Sequence, residues 1–296
     1  MEYIELSNGV KMPILGFGVY QIPKEETKRC VLDAISIGFR SIDTAQSYFN
    51  ESEVGDAIAE CGIPRDELFI TTKVWIDNYG YDKCRKSVLE SLKKLKTDYI
   101  DLVLLHQPFG DYYEAYRALE DLYKEGKIRA VGVSNFYPDR LSDICLFERR
   151  IIPHVNQVET NVFNSQYEAQ ENMKKYNVQI EAWAPFAEGR NNMFSNEVLT
   201  EIGKKYNKSV AQVILRWLTQ RNIVALSKST LVERMKENFN IYDFELSEED
   251  MNKIKELDTG KSLFFSHYDP SMVVWFDEIV KSRRTNQDHT KDKKRW

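Results

Sequence analysis

Short runs of apolar, mostly β-branched residues alternate with longer amphipathic stretches along almost the whole chain. The apolar runs predict eight strands, at residues 14–18, 41–43, 69–73, 100–106, 130–134, 155–159, 180–183 and 224–226. Before them, residues 3–6 and 10–13 have the pattern of two short strands on either side of Ser7-Asn8-Gly9. An Asn-Gly pair at that place favours a tight turn, so we expect a small N-terminal β-hairpin.

Helical periodicity occupies the segments between these strands. It predicts helices at residues 24–37, 51–61, 81–95, 111–125, 140–149 and 166–176. Two more stretches, 195–206 and 210–220, lie between the seventh and eighth strands, so one of them is an addition to the repeat, and 247–257 forms a further helix. Eight strands alternating with helices favour a closed (β/α)8 TIM barrel of the α/β class over a doubly wound sheet, which usually has about five or six strands.

The composition is that of a folded protein with a sizeable core, since 42% of the residues are hydrophobic and 29% are charged. The net charge of −5 argues against nucleic acid as a main partner. The four cysteines are isolated along the chain, which predicts reduced thiols and no metal site. The N-terminus lacks a secretory signal pattern and no apolar run approaches the roughly 20 residues of a membrane span, so we expect a cytoplasmic protein.

The end of the chain differs in character from the rest. Residues 283–296 are polar and lack periodicity, which favours a solvated tail over a binding element. We therefore expect a single barrel domain over residues 1–276, including a C-terminal loop. Residues 277–296 are expected to form the end of a C-terminal helix and a polar tail.

Polar residues directly follow three consecutive apolar runs. The active sites of (β/α)8 enzymes lie at the C-terminal ends of the strands. Asp43, Lys73 and His106 occupy such ends, and Tyr48 follows in the next loop. Alone, each could be structural: a helix cap, a snorkelling lysine, a core histidine or a packing tyrosine.

At one rim, however, an unpaired buried lysine or aspartate would cost several kcal/mol, so Asp43 should pair with Lys73. The Lys73 ammonium beside Tyr48 should lower the pKa of the phenol from its ordinary value of about 10. Tyr48 would then suit a general acid near neutral pH, and His106 could orient a carbonyl oxygen.

Four segments resemble the signatures of the aldo-keto reductases, at residues 38–45, 70–75, 98–106 and 126–136. The likeness extends from about residue 3 to residue 276. It is closest to the bacterial and protozoan branch that includes diketogluconate reductases, glyoxal reductases and prostaglandin F synthase-like enzymes. The resemblance implies NADPH-dependent reduction of an aldehyde or ketone, with Tyr48 as proton donor, Lys73 and Asp43 tuning its acidity, and His106 positioning the substrate carbonyl.

The resemblance also implies that NADP(H) binds without a Rossmann fold, in agreement with the lack of a GxGxxG turn after a strand. It assigns Ser134, Asn135 and Gln157 to the nicotinamide carboxamide and Trp183 to the face of the nicotinamide ring. The remaining cofactor contacts that it implies are Gly18, Val19 and Tyr20 at the first strand, Phe186 and Gly189 at the pyrophosphate, and Lys228, Ser229, Arg234, Glu237 and Asn238 at the adenosine phosphate and adenine. Two cations facing a 2′-phosphate favour NADP(H) over NAD(H).

Three positions depart from the usual family pattern. Ser227 stands where a proline usually precedes the phosphate-binding lysine, Gln107 stands where a tryptophan is common, and residues 160–163 lack a common His-Pro pair. A more polar wall at Gln107 bears on which substrates fit.

The pocket should be lined by Tyr20, Trp75, Gln107 and Phe109, with residues near 264–268 covering it. Such a lining suits a small or medium polar carbonyl compound. The alternative function is that of a non-catalytic regulatory or structural barrel of the same family. The presence of all four candidate catalytic residues and of the phosphate-binding residues argues against that alternative.

Overall fold

The computed structural model describes residues 1–147 and 150–285. Eight parallel strands in this part of the chain close into a barrel, in which each strand from β3 to β10 pairs with the next and β10 pairs with β3. An antiparallel pair, β1 and β2, precedes it. The strands are β1 (Tyr3–Glu5), β2 (Lys11–Pro13), β3 (Leu15–Gly18), β4 (Ser41–Asp43), β5 (Phe69–Val74), β6 (Ile100–Leu105), β7 (Ile128–Ser134), β8 (Val155–Glu159), β9 (Gln179–Trp183) and β10 (Val224–Ser227). The predicted barrel, hairpin and strands are confirmed.

Helices surround the barrel and connect its strands. They are α1 (Lys24–Ile37), α2 (Glu51–Glu60), α3 (Tyr81–Lys94), α4 (Tyr112–Lys124), α5 (Pro138–Leu146), α6 (Tyr167–Lys175), α7 (Glu197–Tyr206), α8 (Val210–Gln220), α9 (Val232–Phe239), α10 (Glu248–Lys255) and α11 (Pro270–Thr285). Both α7 and α8 lie between β9 and β10, so the predicted additional helix is confirmed. Residues 148–149, at the end of the helix predicted over 140–149, lie outside the described residues. None of the helices in the described segments is both long and apolar enough to cross a bilayer.

The N-terminal hairpin closes one end of the barrel. Leu6 and Met12 are buried and pack in a cluster with inward-facing strand residues that include Phe69, Leu102 and Leu104. This apolar cluster is separate from the larger one between the strands and the helices. Among the described residues, this cluster fills the N-terminal end of the barrel, and the other end is formed by the C-terminal ends of the strands.

Two glycines on the barrel strands differ in what surrounds them. A Cβ added to Gly132 on β7 would lie 2.5 Å from the carbonyl oxygen of Val155 on β8, so this strand pair needs a residue without a side chain. A Cβ added to Gly18 at the end of β3 would meet nothing closer than the Ser227 carbonyl oxygen at 4.0 Å. The barrel is thus tightly packed at Gly132 and open at Gly18.

The last described helix, α11, lies over the open end of the barrel. Phe276 is only 1% exposed, and its ring packs against Trp75 and Phe109 with centroid distances of 5.9 and 5.4 Å. Val280, one helical turn later, is also buried. Helix α11 ends at Thr285, so residues 283–285 at the start of the expected polar tail belong to the helix. Residues 286–296 of the expected tail lie outside the described residues.

Candidate active site

The four predicted catalytic residues come together at the C-terminal ends of β4, β5 and β6. Lys73 is fully buried, and its Nζ lies 2.5 Å from Asp43 Oδ1 and 3.1 Å from the carbonyl oxygen of Thr44. The same Nζ lies 3.4 Å from the hydroxyl of Tyr48, which ends a short 3₁₀ helix, Gln46–Tyr48. The pairing of Asp43 with Lys73 is as predicted, and it brings the ammonium to the phenol.

The expected lowering of the pKa of Tyr48 is wrong. Burial raises the pKa of this phenol well above its ordinary value of 10.0, and the carboxylates of Asp43 and Glu181 act in the same direction at the high pH at which the phenol would ionise. Asp43 lies against Lys73 and offsets the charge that was expected to favour the phenolate. Tyr48 is consequently a protonated phenol at neutral pH and a weaker acid than the sequence suggested.

His106 is held as a neutral imidazole. Burial lowers its pKa well below 6.5, and the positive charges of Lys73 and Arg283 add to this effect. The ring lies edge-on to Tyr48 and Trp75, with centroids 5.8 and 5.2 Å apart, and its Nδ1 lies 3.4 Å from Ser47 Oγ. A neutral imidazole retains one N–H and can donate it to a carbonyl oxygen.

The residues assigned to the carboxamide and nicotinamide ring also lie together, at the ends of β7, β8 and β9. Ser134 Oγ donates to the backbone oxygen of Gln157 at 2.9 Å, and Trp183 Nε1 donates to Asn135 Oδ1 at 2.9 Å. The Asn135 amide in turn donates to the His106 backbone oxygen at 3.0 Å. Polar groups of the predicted cofactor face are thereby linked by a hydrogen bond to the backbone of His106.

Glu181, which lies beside Gln157 and Asp43, was not among the predicted site residues. This β9 residue is fully buried, is in register with Gln157 on β8, and accepts a 2.9 Å hydrogen bond from its Nε2. Desolvation, reinforced by the charge of Asp43, raises the pKa of Glu181 from 4.5 to about 8. The sequence does contain a sign of this placement. Side chains along a strand point alternately to its two faces, and Glu181 lies two residues before Trp183, so both point to the same face.

The predicted pyrophosphate loop follows β9. Phe186 packs against the core, and Gly189 has a φ of 79°, in a segment where Glu188 and Asn191 are also left-handed. The amide of Gln21 lies 3.5 Å from the carboxylate of Glu188. This contact links the loop after β3, which carries Val19 and Tyr20, to the loop after β9.

The predicted phosphate-binding residues begin where β10 ends beside β3, since Ser227 is in register with Phe17. Lys228 and Arg234 are exposed, and neither forms an ion pair with any described residue. Ser229 Oγ is used in a local turn with Leu231, and Glu237 accepts a 2.5 Å hydrogen bond from Ser209 Oγ. Asn238 is buried in the same helix.

The predicted substrate residues form a covered mouth. Gln107 Oε1 lies 2.7 Å from His267 Nε2, and the Phe109 ring stacks on His267 with a centroid distance of 5.8 Å. The Tyr20 ring packs against the Tyr48 ring with a centroid distance of 4.9 Å. His267, in the segment 264–268 that was expected to cover the pocket, thus contacts two of the four predicted lining residues.

Beside this mouth lies a cavity of about 270 Å³, lined by Gln46, Ser47, Phe49, Trp75, Asp77, Asn78 and Arg283. The lining is rich in hydrogen-bonding groups. No group of ionisable side chains in the described segments has the arrangement of a metal site.

A closed (β/α)8 barrel with a tyrosine, a lysine–aspartate pair and a histidine at its C-terminal mouth defines a class of barrel oxidoreductases that act on carbonyl groups. The chain belongs to the aldo/keto reductase family, whose sequence model matches residues 14–259. Helix α11 lies beyond that match.

Known relatives support the branch suggested by the sequence. The chain is 48% identical to glyoxal reductase of Bacillus subtilis over 86% of this chain and 92% of that protein. It is 45% identical to the 9,11-endoperoxide prostaglandin H2 reductase of Trypanosoma cruzi, over 88% and 93%. The crystal structure of a Bombyx mori aldo-keto reductase in complex with NADP superposes with a TM-score of 0.84, at 32% identity, over 88% of this chain and 94% of that one.

Proposed function

We propose that this protein uses NADP(H) to reduce a small polar aldehyde or ketone to an alcohol, reversibly, with Tyr48 as the general acid. The observation that carries the proposal is the position of Lys73 Nζ, 2.5 Å from Asp43 Oδ1 and 3.4 Å from the Tyr48 hydroxyl. Although Asp43 offsets part of its charge, the Lys73 ammonium can donate an N–H to the phenol oxygen and so stabilise that oxygen as its proton leaves.

His106, Tyr48 and Lys73 have separate roles around the carbonyl group. NADPH, when bound, supplies the hydride. His106 donates its N–H to the carbonyl oxygen and orients it, and the Tyr48 hydroxyl gives its proton to the developing alkoxide. An alkoxide is a stronger base than a phenolate, so this transfer stays favourable despite the raised pKa of Tyr48. Lys73 then stabilises the phenolate, and Asp43 holds Lys73 in place.

Three observations support NADP(H) as the cofactor. Gly18 leaves open space at the end of β3, Gln157 Oε1 receives no hydrogen bond from a described residue, and Lys228 and Arg234 are cations without a described carboxylate partner. A 2′-phosphate is the part of NADP(H) that would neutralise such a pair of cations. Ser227, in place of the usual proline, is held by its strand register with Phe17, so the backbone before Lys228 remains fixed.

A small substrate is favoured by the covered mouth and by the relatives. Trp75 is 5% exposed beneath α11, which leaves little room for a large apolar molecule. Among the relatives are a glyoxal reductase and the methylglyoxal reductase DkgA of Escherichia coli, 38% identical to this chain. We therefore propose short dicarbonyl compounds and keto sugars as the first substrates to screen.

The test combines NADPH oxidation over a panel of such compounds with the Tyr48→Phe variant. We expect Tyr48→Phe to lower kcat by about 10² to 10⁴-fold while NADPH affinity stays near the wild-type value, because the phenol acts only in proton transfer. Tyr116→Phe is the matched control, since its buried hydroxyl bonds the Ile151 backbone away from the site.

Wild-type turnover by a folded Tyr48→Phe enzyme would exclude the proposed general acid. A wild-type protein that binds NADPH but oxidises it with no carbonyl compound in the panel would instead support the non-catalytic alternative.

A further inference from the structure

Gln157 reaches across the barrel interior. Its strand, β8, lies opposite β4 in the eight-stranded ring. The side chain is 2% exposed, and its Nε2 donates to Asp43 Oδ2 at 3.0 Å and to Glu181 Oε2 at 2.9 Å. A primary amide has two N–H groups, so these two acceptors use both of them.

The orientation of the Gln157 amide is fixed by these partners. If the amide were turned over, Oε1 would face the Asp43 carboxylate, and two acceptors would be in contact. In the observed orientation Oε1 receives no hydrogen bond from any described residue. Gln157 therefore presents a hydrogen-bond acceptor, and no donor, to whatever binds against it.

Glu181 can take the second N–H without placing another charge beside Asp43. Its burial and the nearby Asp43 charge raise the pKa of the carboxyl to about 8, so it is protonated at neutral pH. Its other oxygen, Oε1, is buried without a hydrogen-bond partner in the described segments, which is tolerable for a neutral acid and costly for a carboxylate. The charged or titratable groups around it are Asp43, Lys73 and Tyr48.

We propose that Glu181 is a positioning residue which, together with Asp43, locks the Gln157 amide so that the site selects a ring carrying a carboxamide N–H donor. This inference rests on the cofactor placement proposed above. The new element is that Gln157 Oε1 selects ligands that can donate a hydrogen bond to it. A nicotinamide can donate its carboxamide N–H to Gln157 Oε1, whereas an acetyl group in place of the carboxamide cannot. It also couples the cofactor face to the catalytic site, because Asp43 bonds both Gln157 and Lys73.

The experiment measures dissociation constants by calorimetry for three ligands. They are NADP⁺, its 3-acetylpyridine analogue and 2′-phospho-ADP-ribose, which lacks the ring. The proteins are the full-length wild type, Glu181→Met, Glu181→Gln and Glu120→Gln. Methionine removes the acceptor at similar volume, and glutamine keeps an acceptor oxygen. Glu120 is a buried carboxyl on α4 that accepts hydrogen bonds from the backbone at Arg150 and Ile151, and it controls for replacement of a buried carboxyl group away from the site.

We expect the wild type to bind NADP⁺ about 5 to 10-fold more tightly than the acetylpyridine analogue, the size of one hydrogen bond. Glu181→Met leaves Asp43 alone to hold the amide, so it should reduce this preference while 2′-phospho-ADP-ribose affinity stays unchanged. Glu181→Gln and Glu120→Gln should keep the preference.

A wild type that binds NADP⁺ and its analogue equally would overturn the inference, even if Glu181→Met does not fold. Equal weakening of all three ligands by Glu181→Met would also overturn it, since that result indicates a purely structural role. A wild type that binds neither NADP⁺ nor 2′-phospho-ADP-ribose would instead refute the proposed function.

Discussion

At the scale of single residues, the protonation of Glu181 makes the stability of the fold depend on pH. The folded pKa is raised from 4.5 to about 8, so between these values the folded protein holds a proton that the unfolded chain releases. This contribution to stability is full below pH 4.5, decreases as the pH rises through the window, and is lost above about 8.

We expect the free energy of unfolding of wild type, relative to Glu181→Gln, to fall across this window by at most about 1.4 kcal/mol per pH unit. Urea denaturation at half-unit pH steps measures it. The buried histidines titrate in both proteins and cancel in the difference. A difference that does not vary with pH would show that Glu181 is ionised in the folded state.

The exposed cations Lys228 and Arg234 are expected to distinguish NADPH from NADH. Charge-assisted hydrogen bonds contribute about 1.5 to 3 kcal/mol, so Arg234→Ala should weaken NADPH binding by roughly 10 to 100-fold and leave NADH binding nearly unchanged. Lys236→Ala is the control, because Lys236 lies on the same helix and is paired with Glu233 at 3.0 Å. Dissociation constants at fixed ionic strength measure both. Equal losses for the two cofactors would show that Arg234 does not read the phosphate.

At the scale of elements, the strands and most helices could be predicted because burial on one face leaves a periodic pattern. The bounds of helix α11 could not be predicted from such a pattern, because residues 273–276 are four consecutive apolar residues. Two of them, Val273 and Val274, face solvent. Glu181 was missed because its contact with Gln157 depends on the register between β8 and β9, which the pattern of each strand alone does not give. The sign of the Tyr48 pKa shift likewise depends on burial, which a motif does not show.

The position of helix α11 over the barrel is expected to depend on the Phe276 ring. Phe276→Ala removes the ring that packs on Trp75 and Phe109, so α11 should open more often while the barrel stays intact. We expect faster amide hydrogen exchange over residues 270–285, a several-fold higher KM for the carbonyl substrate, and unchanged NADPH affinity. Val274→Ala, on the exposed side of the same helix, should change none of these. Unaltered exchange in Phe276→Ala would show that the ring does not hold the helix.

At the scale of the whole molecule, closure of the ring depends on close contact between neighbouring strands. Gly132→Ala would force a methyl group to within 2.5 Å of the Val155 carbonyl oxygen. Overpacking of this kind costs about 1 to 3 kcal/mol, which should appear as a lower urea midpoint with an unchanged m-value. Gly18→Ala, with nothing nearer than 4.0 Å, should unfold like wild type. Equal midpoints for the two variants would mean that β7 and β8 can separate without penalty.

The barrel and helix α11 are encoded by different parts of the chain. The family match ends at residue 259, yet the wall over the mouth is completed by residues that follow it. The barrel and the four predicted catalytic residues are thus encoded upstream of the segment that shapes the entrance. Natural drift at the chain end can alter the entrance while the four predicted catalytic residues are retained, with Arg283 as the position through which this segment also acts on the pKa of His106. An engineer can exploit the same division by grafting the residues after 260 from one relative onto the barrel of another.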